Sequence, residues 1–186
     1  EGFNITTLDK RSPHGMWRDL PKVEAHEKYI EFYEYIESKK AESGAGTGCT
    51  ENNGYEGTSE FLYSHSDEER SHMLKLVGFI NERGGHAIIP ALPKPEETYG
   101  SIKDVFKNLL EHEINVTNKI NNVVHICLEE KDYTTHNFMQ WFVSEQIEEE
   151  ALAITVMDRL NLVAEDASGM YMFDRDIMGM RNTASN

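Results

Sequence analysis

The sequence predicts an all-α protein folded as a four-helix bundle, with a long crossover between the second and third helices and a short fifth helix at the C-terminal end. Three observations support this fold class. Apolar residues recur at three- and four-residue steps along several long segments. Clusters of glycine or proline separate these segments, and no alternating strand pattern competes with them apart from the few residues at 87–89.

The N-terminal part divides into an arm and the start of the bundle. Residues 1–20 show no periodicity and contain proline and glycine, so we expect an irregular arm. Residues 21–186 are predicted to form a single domain. Its first helix is expected over 21–40, which is rich in Glu, Lys, Tyr and Ile and has no glycine. Residues 43–54 carry four glycines and interrupt any regular element.

The second helix is predicted over 55–83. Its inward face is a stripe of residues spaced by three or four: Phe61, His65, Glu69, His72, Leu76 and Ile80. Gly84 and Gly85 supply a C-terminal stop signal. Three prolines then exclude a helix from residues 86–99, and a connection of this length can cross from one end of a bundle to the other.

The third helix is predicted over 101–128, with Ser101 as N-cap and Asp104 as an acidic variant of the capping box. Its inward stripe is Phe106, Leu109, Glu113, Val116, Ile120 and Val124. A fourth helix is expected over 133–160, with the stripe Phe138, Phe142, Gln146, Glu149, Ala153, Val156 and Leu160. Gly169 then precedes a short amphipathic segment, 170–180, which we expect to be the fifth helix.

Composition narrows the class of partner and the compartment. The 186 residues include 33 acidic and 18 basic ones, a net charge of −15, which argues against nucleic acid or an anionic membrane and suits cations. An acidic surface also provides plain solubility. No apolar run reaches the ~18 residues of a membrane span. Cys49 and Cys127 form no CxxC motif, so we expect a reducing, cytoplasmic setting, or an organelle if Glu1 follows a removed transit peptide.

Polar residues interrupt the predicted inner stripes near the middle of three helices. Glu69 and His72 are three residues apart, so both can reach one ion from one helix face. Glu113 interrupts the third helix, and Gln146 and Glu149 interrupt the fourth. Each residue alone fits a solvated acid or a hydrogen-bonded core side chain. Together they predict a site for a multivalent cation, and carboxylates with one imidazole favour iron or manganese.

Three further acids, Glu68, Glu145 and Glu148, form an outer layer beside that predicted site, with Glu149 adjoining both sets. Glu145 and Glu148 lie one helical turn apart. This layer fits either a solvated acidic helix face or a third cation position that feeds or drains the first two. The residues alone leave both interpretations open.

Three blocks resemble bacterial-type non-haem ferritins: GYEGTSEFLYSHSDEERSHM at 54–73, FKNLLEHEINVTNKIN at 106–121 and DYTTHNFMQWFVSEQIEEEAL at 132–152. The segment DRDIMGM at 174–180 is similar to the short last helix of that family. The resemblance covers roughly residues 54–180 and implies a ferritin-like bundle. Gln146-x-x-Glu149 stands where a haem-bearing bacterioferritin would carry a second Glu-x-x-His, so no haem is expected.

The resemblance implies a ferroxidase centre. By motif position Glu69 would bridge two irons, and His72 and Glu113 would bind one each. Gln146 with Glu149 would complete the second iron site. The family oxidises Fe(II) with dioxygen or peroxide and stores the ferric product in a hollow shell of 24 identical subunits. Mechanistically, two bridged irons can share the electrons given to dioxygen.

By the same resemblance, the outer acids Glu68, Glu145, Glu148 and Glu149 match a third iron site. The first helix departs from the family pattern, because residues 38–53 are polar and glycine-rich. The inward glutamate of that helix is Glu34 or Glu37 by spacing and Glu31 by local likeness, and we assign it to Glu34 with Glu31 as the alternative.

Two alternatives to an iron-storing ferroxidase remain from the sequence. One is a shell-forming ferritin homologue whose centre is impaired, as the altered first helix would suggest. The other is a different di-iron carboxylate oxidase on the same bundle. That class normally carries two Glu-x-x-His pairs, whereas one lies on the stripes here.

Overall fold

The computed structural model describes residues 50–87, 100–163 and 166–184. Its long elements are four helices: α1 (Glu56–Glu82), α2 (Ile102–Glu129), α3 (Tyr133–Val163) and α4 (Ala167–Ala184). A further helical turn occupies residues 50–52. The described residues contain no strand, as the sequence predicts for an all-α fold. None of the helices in these ranges is long and apolar enough to cross a membrane.

Two apolar clusters hold the helices together, one towards each end of the bundle. The first joins the C-terminal halves of α1 and α2 to the N-terminal half of α3; its buried members are Met73, Leu76, Val116, Ile120, Val123, Cys127, Met139 and Phe142. The second joins the opposite ends of the same helices to α4; its buried members are Phe61, Leu62, Ile102, Val105, Phe106, Leu152, Val156, Leu160, Phe173, Ile177 and Met180.

The membership of the two clusters fixes the helix directions. α1 and α2 start at the same end and run parallel, while α3 runs antiparallel to both. The chain between Glu82 and Ile102 therefore joins opposite ends of the bundle, which is the long crossover that the sequence predicts. The tight turn from α2 to α3 has Lys131 at φ 56°, and Asp132 caps α3 by accepting the amide of Thr135 at 3.0 Å.

α4 is bound to the start of α1 by a capping contact between distant parts of the chain. Tyr55, the N-cap residue of α1, gives no side-chain cap. Asp174 of α4 takes that role, because its carboxylate accepts the amides of Gly57 at 3.2 Å and Thr58 at 2.7 Å. Gly57 makes this approach possible, since a Cβ there would lie 1.9 Å from the backbone oxygen of Asp174.

The predicted bounds of α1, α2 and α3 are confirmed to within three residues. The Ser101 cap is also confirmed, because its hydroxyl accepts the amide of Asp104 at 3.2 Å. The predicted fifth helix was wrong in extent: α4 begins at Ala167, before Gly169, and continues past residue 180. The reason is that the Asp166 carboxylate accepts the Gly169 amide at 2.8 Å, so the glycine lies in a capped first turn.

Several predictions fall outside the described residues. These are the arm at 1–20, the first helix at 21–40, the glycine-rich stretch up to residue 49, and most of the proline-rich connection at 86–99. The division into an arm and one domain stays a prediction.

Candidate metal centre

A layer of polar side chains lies between the two apolar clusters, midway along α1, α2 and α3. All six are buried, although each is polar or ionisable: His65, Glu69 and His72 from α1, Glu113 from α2, and Gln146 and Glu149 from α3. They stand on the same helix faces as the cluster residues above and below them. Because burial of carboxylates is costly without compensation, this layer is the natural place for a cation.

Gln146 and Glu113 join α3 to α2 across the layer. The Gln146 side-chain amide donates to the Glu113 carboxylate at 2.7 Å and to the Glu113 backbone carbonyl at 3.1 Å. These two bonds fix the orientation of the amide, so its oxygen is left to face away from Glu113. Glu113 is fully buried, and its other carboxylate oxygen lies 3.6 Å from Nε2 of His65.

His72 lies between the inner layer and a half-buried acidic rim. Its Nδ1 is 3.6 Å from Oε1 of Glu69, and its Nε2 is 4.0 Å from Oε2 of Glu145. Glu68, His72 and Glu145 each offer a donor atom within 4.8 Å of the others, which is close enough to share an ion. The Glu-x-x-His spacing thus places His72 beside the inward Glu69 and the outer acids at once.

Aromatic rings hold the His72 imidazole in place. Trp141 of α3 meets it edge to face, with ring centroids 5.2 Å apart, and Phe142 lies 6.4 Å away on a similar angle. The ammonium of Lys75 lies over the Trp141 ring, 4.1 Å from its centroid. These contacts restrict rotation of His72, which favours a preformed site.

His65 occupies the centre of the layer. Its Nε2 faces Glu113 at 3.6 Å and its Nδ1 faces Glu149 at 3.7 Å. Within the part of the chain that the structure describes, neither ring nitrogen has a hydrogen-bond partner. Together with Glu69 and Glu149 it forms a fully buried group of three donors within 4.8 Å of one another.

The electrostatics of His65 show what the layer favours. Burial on its own would lower the pKa of His65, but the Glu113 carboxylate beside it, followed by the charges of Glu149 and Glu69, raises that pKa above its ordinary value. The surrounding carboxylates therefore outweigh desolvation. This part of the bundle attracts positive charge, whether as a proton or as a metal ion.

The structure brings the five inner residues that the sequence singled out into one layer: Glu69, His72, Glu113, Gln146 and Glu149. Of the outer acids, Glu68 and Glu145 lie beside His72, whereas Glu148 is exposed and belongs to neither three-donor group in the described chain. Glu31 and Glu34 lie outside the described residues. All of these remain predictions as ligands.

His65 is the residue of the layer that sequence reasoning did not name as a candidate metal donor. The periodicity of α1 correctly predicts that it points inward. The signal that could have identified it is its place one turn before Glu69, just as His72 stands one turn after. A carboxylate with an imidazole on each side along one helix face is a stronger metal pattern than Glu-x-x-His alone.

The donor set limits the chemistry. Carboxylates, imidazoles and one amide, with no thiolate in the layer, suit iron, manganese or zinc. The donors come from three helices, and the apolar clusters on both sides of the layer hold those helices in place. Bound redox-active ions could exchange electrons with a small oxidant there.

Comparisons with known proteins place the chain in a family. The family model for the ferritin-like domain matches residues 49–163. A probable bacterial non-heme ferritin-like protein of Haemophilus influenzae is 44% identical over 131 residues, which cover 70% of this chain and 79% of the relative. A bacterial non-heme ferritin of Campylobacter jejuni is 41% identical over 129 residues, covering 69% and 77%.

Solved structures agree with the sequence relatives. An open pore ferritin from the hyperthermophilic archaeon Archaeoglobus fulgidus matches with a TM-score of 0.81 at 29% identity, covering 84% of this chain and 97% of that one. The resemblance drawn from residues 54–180 is confirmed, as is the four-helix-bundle fold class. The chain belongs to the ferritin family, among relatives named bacterial non-heme ferritins.

Proposed function

We propose that this protein stores iron and oxidises Fe(II) at the polar layer between α1, α2 and α3. The observation that carries the proposal is the burial of three carboxylates, two imidazoles and an amide in one layer midway along the bundle. The relatives named bacterial non-heme ferritins support iron as the ion. Iron is here the substrate and the cargo.

Each residue has a role in the proposed reaction. Glu69 lies between the His72 and Glu149 sides of the layer, so it can bridge two Fe(II) ions. His72 and Glu113 each bind one ion, and Gln146 with Glu149 completes the second position. Two Fe(II) ions give up one electron each, which supplies the two electrons that reduce dioxygen or peroxide. The buried carboxylates stabilise the higher charge of the ferric products.

The group formed by Glu68, His72 and Glu145 serves as an outer cation position. The group is half-buried and shares His72 with the inner layer. An ion bound there would lie next to the inner layer and remain accessible to solvent. Glu148 is exposed beside it and can assist transfer. The net charge of −15 supports attraction of Fe(II) from solution.

Storage of a mineral requires assembly of many subunits. The support for assembly is that the chain belongs to the ferritin family and matches the fold of solved ferritins. We propose a homo-oligomeric shell of 24 subunits that encloses the ferric mineral. Native mass spectrometry measures the number of subunits in the particle. A mass of 24 subunits is expected, and any other copy number would contradict the proposed shell.

The test of ferroxidase activity is aerobic addition of Fe(II) to metal-free protein, followed by the ferric absorbance. Oxidation well above the buffer rate is expected for the wild type. The double variant Glu69→Ala with His72→Ala should fall to the buffer rate. The matched control is the double variant His125→Ala with Glu129→Ala. These two residues are exposed on α2 one turn apart, and His125 Nε2 lies 3.3 Å from Oε1 of Glu129.

The control variant loses the same two residue types and should keep the wild-type rate. Equal rates in the wild type and in the Glu69/His72 variant would overturn the assignment of the centre. Absence of oxidation by the wild type, together with a hollow particle, would instead favour the shell-forming homologue with an impaired centre. A particle-free protein that still oxidises Fe(II) would favour another di-iron oxidase.

A further inference from the structure

The least satisfied buried group in the described chain is the imidazole of His65. It is 1% exposed, and neither ring nitrogen has a hydrogen-bond partner among the described residues. A buried polar group without a hydrogen bond destabilises the folded state. The nearest acceptors are carboxylate oxygens of Glu113 and Glu149, at 3.6 and 3.7 Å, so the imidazole stands where an ion could be shared between it and a carboxylate.

The distances around His65 are too long for hydrogen bonds and suit a shared metal ion. Ligand atoms bind such ions at about 2.1 Å, so two ligands on one ion lie about 3.0 Å apart at a right angle and about 4.2 Å apart when opposite. The 3.7 Å between His65 Nδ1 and Glu149 Oε2 falls inside that range. Glu69 joins both residues within 4.8 Å.

We propose that His65 is itself a metal ligand, binding Fe(II) through Nδ1 together with Glu69 and Glu149. The inference rests on the proposed function, because the ion is one of the pair oxidised there. It changes the description drawn from the family resemblance, in which His72 is the one imidazole of the centre. With His65 included, Glu69 has an imidazole one turn before it and another one turn after it.

The arrangement gives each ion its own imidazole. His72 Nδ1 lies 3.6 Å from Oε1 of Glu69, and His65 lies in the donor group on the Glu149 side. A bridging Glu69 would then separate two positions, one completed by His72 and the other by His65. The nitrogen of His65 is an additional donor and replaces none of the carboxylates. The residues predicted as ligands therefore keep their assigned roles.

The remaining nitrogen of His65 is placed to orient the ring. When Nδ1 binds an ion, Nε2 carries the proton, and it faces the Glu113 carboxylate at 3.6 Å. The other oxygen of Glu113 already accepts the Gln146 amide at 2.7 Å. A carboxylate that accepts the free N–H of a ligating histidine is the usual support for such a ligand.

The direct test is diffraction from crystals of the metal-free protein soaked with Co(II) without oxygen. An anomalous peak is expected about 2.1 Å from His65 Nδ1 and bonded to Glu69 and Glu149. A peak bonded to the two carboxylates but more than about 3 Å from His65 would overturn the proposal while leaving the centre itself intact. Absence of any Co(II) in the layer would overturn the proposed function as well.

Calorimetric titration with Co(II) gives a second readout that does not depend on activity. His65→Leu should weaken one binding event by more than about 100-fold, beyond the 10–100-fold that loss of a mere supporting residue produces. His125→Leu, at a histidine that is 70% exposed on α2, is the matched control and should leave binding unchanged. If His65→Leu lacks the wild-type helical circular dichroism, His65→Phe replaces it, because the phenyl ring keeps the planar ring of the imidazole and offers no donor atom. Wild-type binding in a folded His65 variant would refute ligation.

Discussion

Substitution of Asp174 by alanine should destabilise the protein although this residue is remote from the metal centre. The carboxylate of Asp174 accepts the Thr58 amide and the Thr58 hydroxyl, both at 2.7 Å, and the Gly57 amide at 3.2 Å. Tyr55 provides no cap of its own. The first turn of α1 therefore takes its capping group from α4, which follows more than a hundred residues later in the chain.

The size of the effect follows from three losses. Removal of a capping side chain costs about 1 kcal/mol, and loss of the negative charge at a helix N-terminus costs about 0.3–1 kcal/mol. The Thr58 hydroxyl is completely buried, so leaving it without an acceptor costs about 1–3 kcal/mol. The sum is about 2–5 kcal/mol, which for a chain of this length lowers the melting temperature by about 5–20 °C.

Differential scanning calorimetry at one fixed protein concentration measures this shift, because subunit association makes the melting temperature depend on concentration. Asp176→Ala is the matched control on the same helix. Its carboxylate pairs with the adjacent Arg175 at 2.6 Å in solvent, and such exposed pairs contribute little. Equal melting temperatures for Asp174→Ala and Asp176→Ala would refute the view that α4 caps α1.

Two further predictions concern the polar layer. Gln146→Glu replaces the amide that donates to Glu113 with a second carboxylate. The melting temperature of the metal-free protein should therefore fall by about 5 °C or more, and added Co(II) should restore most of the loss. An unchanged melting temperature of the metal-free variant would contradict this reasoning. In a Trp17→Phe background, anaerobic Fe(II) should quench the fluorescence of Trp141, which contacts His72. His72→Leu should abolish that quenching, and persistence of full quenching would show that the ion binds elsewhere.

Local patterns predict the long helices well, for a simple physical reason. Apolar residues at three- and four-residue spacing mark the buried face of α1, α2 and α3, and burial of that face stabilises the helices in the bundle. Ser101 can be predicted as a cap from the sequence because its hydroxyl accepts the amide of Asp104, which is three residues away in the chain. The polar residues on the stripes are predicted inward by the same periodicity, and all five are buried.

The features that sequence reasoning missed depend on contacts between distant segments or on context. Asp174 reads as an ordinary acid in a short helix, since its partners at Gly57 and Thr58 lie on another helix. Gly169 is predicted to precede the last helix, yet Asp166 caps the first turn of that helix and Gly169 lies in it. His65 reads as a core histidine until Glu113 and Glu149 are seen on either side of its ring.

The position of the polar layer explains how a bundle can hold so many buried ionisable groups. The apolar clusters above and below it each connect α1, α2 and α3, so the three helices are fixed at both ends of the layer. Packing outside the site therefore contributes to the free energy that offsets burial of Glu69, Glu113 and Glu149. Met73, next to His72, belongs to one cluster, and Leu152, near Glu149, belongs to the other. The geometry of the polar layer therefore depends on residues outside it, because a shift of either cluster moves one side of the donor set relative to the other.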